Sequence, residues 1–290
     1  MTGRPTRRYR TAAATVRRQP RVRRASSGLT PVRASALLAV LVTAGAVFGL
    51  TTTSAFGFER IEISGALLTP TSDVEAAAAV TTGQNLVSLS TEPIAARILG
   101  LPSVRGVAVS VGLPDTLHIA LEERRPIVVW QVGSIRYAVD SGGMLFADVT
   151  DDPGGVTASI PVVVDDRAEA TAYRVRGNLD PVTLDAATRI ASLTPSQIGS
   201  HAASLAVHVT DERGFTVSSG PDGWVAIFGF YGQSLRTPSL IPGQVQLLAN
   251  FLAGREDRIE TVILADATDG TYTPKATPRP GAKPSPSVAP

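Results

Sequence analysis

The chain of 290 residues contains no cysteine, so no disulfide supports its fold and no thiolate can serve as nucleophile or metal ligand. Acid is missing from residues 1–33, which instead hold ten arginines: Arg4, Arg7, Arg8, Arg10, Arg17, Arg18, Arg21, Arg23, Arg24 and Arg33. Without them, 17 Lys+Arg face 25 Asp+Glu, and residues 34–290 carry a net charge of −8. The basic character of the whole chain therefore belongs to its head. Catalytic punctuation is missing as well: there is no Gly-x-Ser-x-Gly and no phosphate-binding Gly-x-x-x-x-Gly-Lys-Ser/Thr. His201 and His208 stand seven apart, not at the spacing of a helical zinc pair. Asp151-Asp152 and Asp165-Asp166 lack further oxygen ligands at calcium-loop intervals and read as solvated loops. The expectation is a protein without catalytic residues, metal or cofactor, and without nucleic acid or small-molecule substrate as partner.

What is present begins with a charge-free stretch. From Ala34 to Phe58 no residue is charged, and about 20 apolar positions suffice to cross a bilayer core. A transmembrane helix is expected over 34–56, behind a disordered basic tail over 1–33. Arginines on one side only place the N-terminus in the cytoplasm and the bulk of the chain outside it. The length of the apolar run favours an uncleaved anchor over a signal peptide.

Beyond the anchor the periodicity changes. "FERIEIS" predicts a strand ending at Gly65. Ser72 with Glu75 has the form of a capping box before a helix over Val74 to Val80, and Thr91 reads as the N-cap of a second helix stopped by Gly100 and Pro102. Two alternating runs follow: Val107, Val109 and Val111 share one face, as do Leu117, Ile119 and Leu121. Gly112, Pro114 and Asp115 between them have turn chemistry, so the pair predicts a β-hairpin. His118 then lies opposite the leucines, and Glu122 and Glu123 face opposite sides and cannot share a site.

The order strand, helix, helix, strand, strand resembles the POTRA module, and more specifically the exported part of the bacterial cell-division family FtsQ/DivIB. The residues that carry the resemblance are "FERIEISGA" after the anchor, then Val104, Val107 and Val109, then Pro114 and Leu117, then Glu123, Arg124 and Pro126, and "YAVDSGGMLFA" at 137–147. Leu113 departs from the tryptophan frequent in that family. The resemblance implies a POTRA domain over 57–125 and an FtsQ-type β domain over 126–270.

In that second region "IVVWQVGS", "IRYAVD", "IPVVV", "SLAVHV", "GFTVSS" and "GWVAIFGFY" are strand candidates, with a hairpin signal at Gly220-Pro221-Asp222-Gly223. "VTLDAATRIASL" and "GQVQLLANFLAG" have helical spacing, and "RIETVILAD" is a final apolar strand. Trp224, Phe228, Phe230 and Tyr231 are expected in a core rather than a ligand cage. The proline-rich stretch over 271–290 is expected to be a disordered tail. The fold class is therefore α+β: one N-terminal transmembrane helix, a POTRA module (β-α-α-β-β), and a mostly antiparallel β-rich domain with two helices.

A chain without chemistry works by surfaces, and an unpaired strand edge can accept a partner strand. The resemblance implies a non-catalytic single-pass scaffold at the division septum, whose last strand receives FtsB/DivIC, itself paired with FtsL. Carried over, the binding edge is Glu260, Thr261, Val262, Ile263, Leu264 and Ala265, with Tyr272 covering one end. Two alternatives stand beside it. One is an exported membrane-anchored enzyme or ligand-binding domain. The other is a POTRA-type envelope-assembly protein, which the single module and the absence of barrel-length strands disfavour.

Overall fold

A computed structural model describes residues 31–152, 155–234 and 236–276. Its first element, α1 (Pro31–Thr52), has 22 residues and no buried side chain. At 1.5 Å per residue that is about 33 Å, enough for a bilayer core. Whereas the composition places a span at 34–56, the helix starts earlier and stops at Thr52. Thr53 then accepts the Ala55 N–H and turns the chain into a short 3-10 element at Ser54–Phe56.

The remainder forms a separate body holding two sheets. The first is built from β1 (Arg60–Ser64), α2 (Thr71–Ala78), α3 (Thr91–Leu99), β2 (Val104–Gly112) and β3 (Thr116–Glu123), the expected β-α-α-β-β order. β3 is central, parallel to β1 and antiparallel to β2. Leu117 and Ile119 are buried against Val74, Ile94 and Ile98 of the two helices, with Val107, Val109, Val111 and Leu121 packed around them. The helix starts differ from the sequence pattern: α2 begins at Thr71 after Pro70, with no side-chain cap, and Ser72 lies inside it. Thr91 is the first helical residue of α3, after Ser90. At Gly65 φ is +79°, and a Cβ there would sit 2.2 Å from the Leu121 carbonyl oxygen, so only glycine lets the chain leave β1 this close to β3.

The second sheet has nine strands: β4 (Val128–Val132), β5 (Ile135–Val139), β6 (Leu145–Asp148), β7 (Val162–Asp165), β8 (Ala206–Thr210), β9 (Gly214–Ser218), β10 (Val225–Gly229), β11 (Ile259–Leu264) and β12 (Gly270–Pro274). They lie in the order β12-β11-β10-β9-β8-β7-β4-β5-β6. Parallel pairings occur at β4/β7, β7/β8 and β10/β11, and the other five are antiparallel. Two helices, α4 (Pro181–Ala191) and α5 (Ile241–Leu252), cover one face. Asp180 caps α4 by accepting the Val182 and Thr183 N–H groups. The core between helices and sheet contains Trp130, Val163, Val209, Trp224, Phe228, Leu248, Val262 and Leu264. Of the four aromatic residues expected there, Phe230 is instead 53% exposed.

Asp165 is a correction. The sequence places it on a solvated loop, but it ends β7 with its side chain fully buried. Its carboxylate accepts Trp130 Nε1 at 3.0 Å and both arms of Arg167, Nε at 2.9 Å and Nη2 at 2.8 Å. A buried carboxylate is tolerable when so fully bonded. The run "VVVDD" hides this because Trp130, which caps the carboxylate from the neighbouring strand, lies 35 residues away.

The two sheets are joined around the sequence Glu123-Arg124. Glu123 accepts the N–H groups of Leu67, Leu68 and Thr69 at 2.7–3.1 Å. Arg124 donates to the Pro102 carbonyl and to Asp140, while Arg176 reaches back to the Gly100 carbonyl. Leu68 itself packs on Val129, Ala138 and Phe146, the second face of the nine-stranded sheet.

A candidate partner-binding edge

Of the expected binding residues, Glu260 to Leu264 lie on β11, Ala265 follows it and Tyr272 lies on β12, and β11 is not an edge. β10 pairs with it on one side, and β12 on the other, with Val262 opposite Tyr272 and Ile263 opposite Thr271. The chain closes its own last apolar strand with five residues expected to lie largely in a disordered tail. Thr271, Tyr272 and Thr273 have β-forming side chains, and Pro274 is tolerated because an edge strand leaves one side unpaired. Among the described residues, the outer side of Gly270–Pro274 has no strand neighbour. The unpaired edge is therefore displaced by one strand, from Glu260–Ala265 to Gly270–Pro274.

Local chemistry folds this hairpin back. The Asp266 carboxylate accepts the Thr268 and Asp269 N–H groups, both at 2.7 Å, and the Thr268 hydroxyl. Those backbone donors hold Asp266 below the usual carboxylate range. Gly270 brings the strand onto α5: a Cβ there would meet the Ile263 carbonyl oxygen at 2.8 Å and Phe251 at 3.2 Å. Beneath the turn, Arg236 donates to the carbonyls of Phe228, Leu264 and Ala265. Gln244, fully buried in α5, donates to Leu264 O at 3.0 Å and accepts the Tyr231 hydroxyl at 2.7 Å. Burial pushes the Tyr231 phenol up, so it stays a donor.

The opposite end of the hairpin is pinned differently. The Lys275 N–H donates to Arg258 O, and its Nζ reaches Asp222 O at 2.7 Å. Beside them Glu256, its side chain 13% exposed, accepts the Ser200 hydroxyl, the His201 N–H at 2.9 Å and Trp224 Nε1 at 2.8 Å. His201 Nδ1 lies 2.8 Å from the same carboxylate. Burial works to raise Glu256, but these hydrogen bonds outweigh it and bring the group down to about 2.

The named residues divide between two faces. Val262 and Leu264 are buried toward α5. Tyr272, 43% exposed, shares that face at the margin, with Phe251 and the Arg255 guanidinium each 5.7 Å from its ring. Ile263, 47% exposed, faces the other way beside Ile227 and Thr271, and Glu260 and Ala265 are exposed. A strand laid along β12 would meet main-chain groups centrally, an aromatic–arginine margin on one side and an isoleucine–threonine margin on the other. Sequence reasoning missed Arg236, Gln244, Glu256 and Lys275, which hold the edge in place. The available signal was the Asp-x-Thr-Asp-Gly turn at 266–270. Among the described residues, no group of three or more His, Asp or Glu side chains converges as a metal site.

Comparison with known proteins agrees with this architecture. Residues 56–124 match the family model described as the FtsQ-type POTRA domain. The cell division protein FtsQ of Streptomyces venezuelae is 34% identical over 165 residues, covering 53% of this chain and 60% of that protein. FtsQ of Streptomyces collinus is 30% identical over 214 residues, covering 68% of this chain and 78% of the relative. FtsQ of Streptomyces coelicolor is 34% identical over 183 residues, covering 57% and 69%.

Proposed function

Because the chain belongs to the FtsQ family of cell-division proteins, we propose that it is a non-catalytic, single-pass scaffold of the division machinery. Its apolar helix anchors it in the cell membrane at the septum. The arginine-rich head lies in the cytoplasm by the positive-inside rule, and the two-sheet body lies outside. The domains are the anchor, a POTRA domain over 57–125 and a β domain over 126–270 that continues through β12. The scaffold links early and late division proteins, FtsB/DivIC-like and FtsL-like, by strand addition.

One observation carries this reading: among the described residues the outer edge of β12 is unpaired, with Tyr272 and Ile263 exposed on either face. Strand addition draws affinity from main-chain hydrogen bonds and specificity from alternating side-chain contacts. Here the incoming strand pairs with Gly270–Pro274, while Glu260, Thr261 and Ile263 of β11 and the adjoining Ala265 flank it. Val262 and Leu264 support the hairpin from the core. The test is a fluorescent fusion of the full chain in dividing cells depleted of the native copy, compared with Ile263→Glu/Tyr272→Ala. Septal rings from the wild type, with division rescued by it and not by the variant, are the expected result. A variant that rescues division fully moves the partner surface away from this edge.

A further inference from the structure

A second surface lies at the junction of the two sheets, remote from β12. One cleft there is lined by Arg105, Arg124, Arg125, Ile127, Asp140 and Ser141. Three independent backbone devices build the cleft, two of which carry its guanidinium groups. Arg105 sits at a β-bulge of β2, where the pairing jumps from Val104↔Glu123 to Gly106↔Glu122. Such a bulge inserts one unpaired residue and re-aims its side chain. Arg124 and Arg125 lie in the four-residue connection over 124–127 between β3 and β4, whose Pro126 restricts the backbone. Asp140 and Ser141 come from the turn between β5 and β6.

The cleft is not neutralised from within. Asp140 is committed to Arg124 at 2.8 Å and to the N–H groups of Gly142 and Met144. Among the described residues Arg105 has only Glu122, at 4.0 Å, with both side chains more than two-thirds exposed. Arg125 is exposed and makes no hydrogen bond or ion pair with another described residue. Like charges gathered in one concavity raise its potential and select an anion. Guanidinium forks favour bidentate carboxylates or phosphates. The body around this cleft is net acidic, so the positive patch runs against its own background.

We propose that this cleft docks an acidic peptide segment of a partner protein, its carboxylates held by Arg105 and Arg125 and an adjacent apolar side chain resting on Ile127. Half-buried Ile127 and the carboxylate of Asp140 favour a peptide with spaced carboxylates over a densely charged phosphate polymer. Six strand spacings separate β12 from β4, about 29 Å across the sheet. The docking point is thus separate from the strand-addition edge and does not depend on it.

The probe is hexaglutamate carrying a benzophenone, cross-linked to the full chain in detergent micelles and mapped by mass spectrometry. Adducts on the arginine-rich head serve as an internal reference. Expected are saturable adducts on the Arg105, Arg125–Ile127 and Ser141 peptides, reduced at least tenfold in Arg105→Gln/Arg125→Gln while head adducts persist. Cleft adducts that are absent, or equal in the variant, while the head is labelled would overturn the proposal. Polyphosphate displacing the cleft adducts at lower concentration than unlabelled hexaglutamate would also overturn it, in favour of a phosphate polymer.

Discussion

The nine-stranded sheet is two structures in one. Strands β4 to β7 are covered on both faces: Val128, Trp130 and Val163 pack toward the helices, while Val129, Ala138 and Phe146 pack under Leu68, Val149 and Ile160. Strands β8 to β12 are covered on one face only, and their other face shows His208, Ile227, Ile263, Thr271 and Thr273. The difference follows composition. Doubly covered strands read as unbroken apolar runs such as "IVVW" and "VVV", and singly covered ones alternate. It also follows task. The doubly covered end is locked to the first sheet through Glu123, Arg124 and Leu68, whereas the singly covered end finishes in β12, whose outer side has no strand neighbour among the described residues.

Substitutions can break that contrast. Trp130→Ala, at the doubly covered end, removes a fully buried ring and the donor to Asp165. A loss of about 3–5 kcal/mol is expected in denaturant unfolding of the full chain in detergent. Ile263→Ser, at the open end, is expected to cost less than about 1 kcal/mol in the same assay, since the side chain is half-exposed. Equal costs would mean that the open face is covered in the working protein.

The lock between the sheets comes next in size. Glu123→Ala strands the N–H groups of Leu67, Leu68 and Thr69, with an expected cost of about 1–3 kcal/mol. Hydrogen exchange should accelerate at residues 67–69 and leave β8 to β10 unchanged. Acceleration spread evenly over both sheets would show that the contrast between the ends is not energetic.

A pH slope is expected at the open end. Glu256 is lowered from 4.5 to about 2 in the folded chain. A carboxylate depressed by folding stabilises above its unfolded value, and that stability is lost as pH falls from 4.5 through 2. Discounted for its solvent contact, the contribution is about 1–2 kcal/mol. Glu256→Gln should flatten the stability profile in that window and change little at pH 7 beyond a constant offset. An unchanged slope would assign acid sensitivity to other carboxylates.

Much of this fold was legible residue by residue. The alternation of Leu117, Ile119 and Leu121, the turn at Gly220–Gly223 and the helical spacing of Val245, Leu248 and Leu252 are local patterns, and each produced its element. The burial of Asp165 is not legible because Trp130 reaches it only when β7 pairs with β4; Arg167, two residues on, is its local partner. The unpaired edge lies one strand beyond β11, where Thr271–Thr273 are too few, and too close to proline-rich sequence, to signal a strand by periodicity. For Glu123 the sequence says only that it faces away from Glu122; the three backbone N–H groups that close on it lie some 55 residues away.

The amino-acid sequence by itself determined the anchor's composition, the helices and strands, and the faces that turn inward, because those depend on neighbours within one or two turns of chain. Only the tertiary structure decided which strand is last in the sheet, which carboxylates are buried and which arginines share a cleft. Those outcomes depend on pairing between segments distant in sequence, and a pattern along one segment carries no record of what another segment will cover.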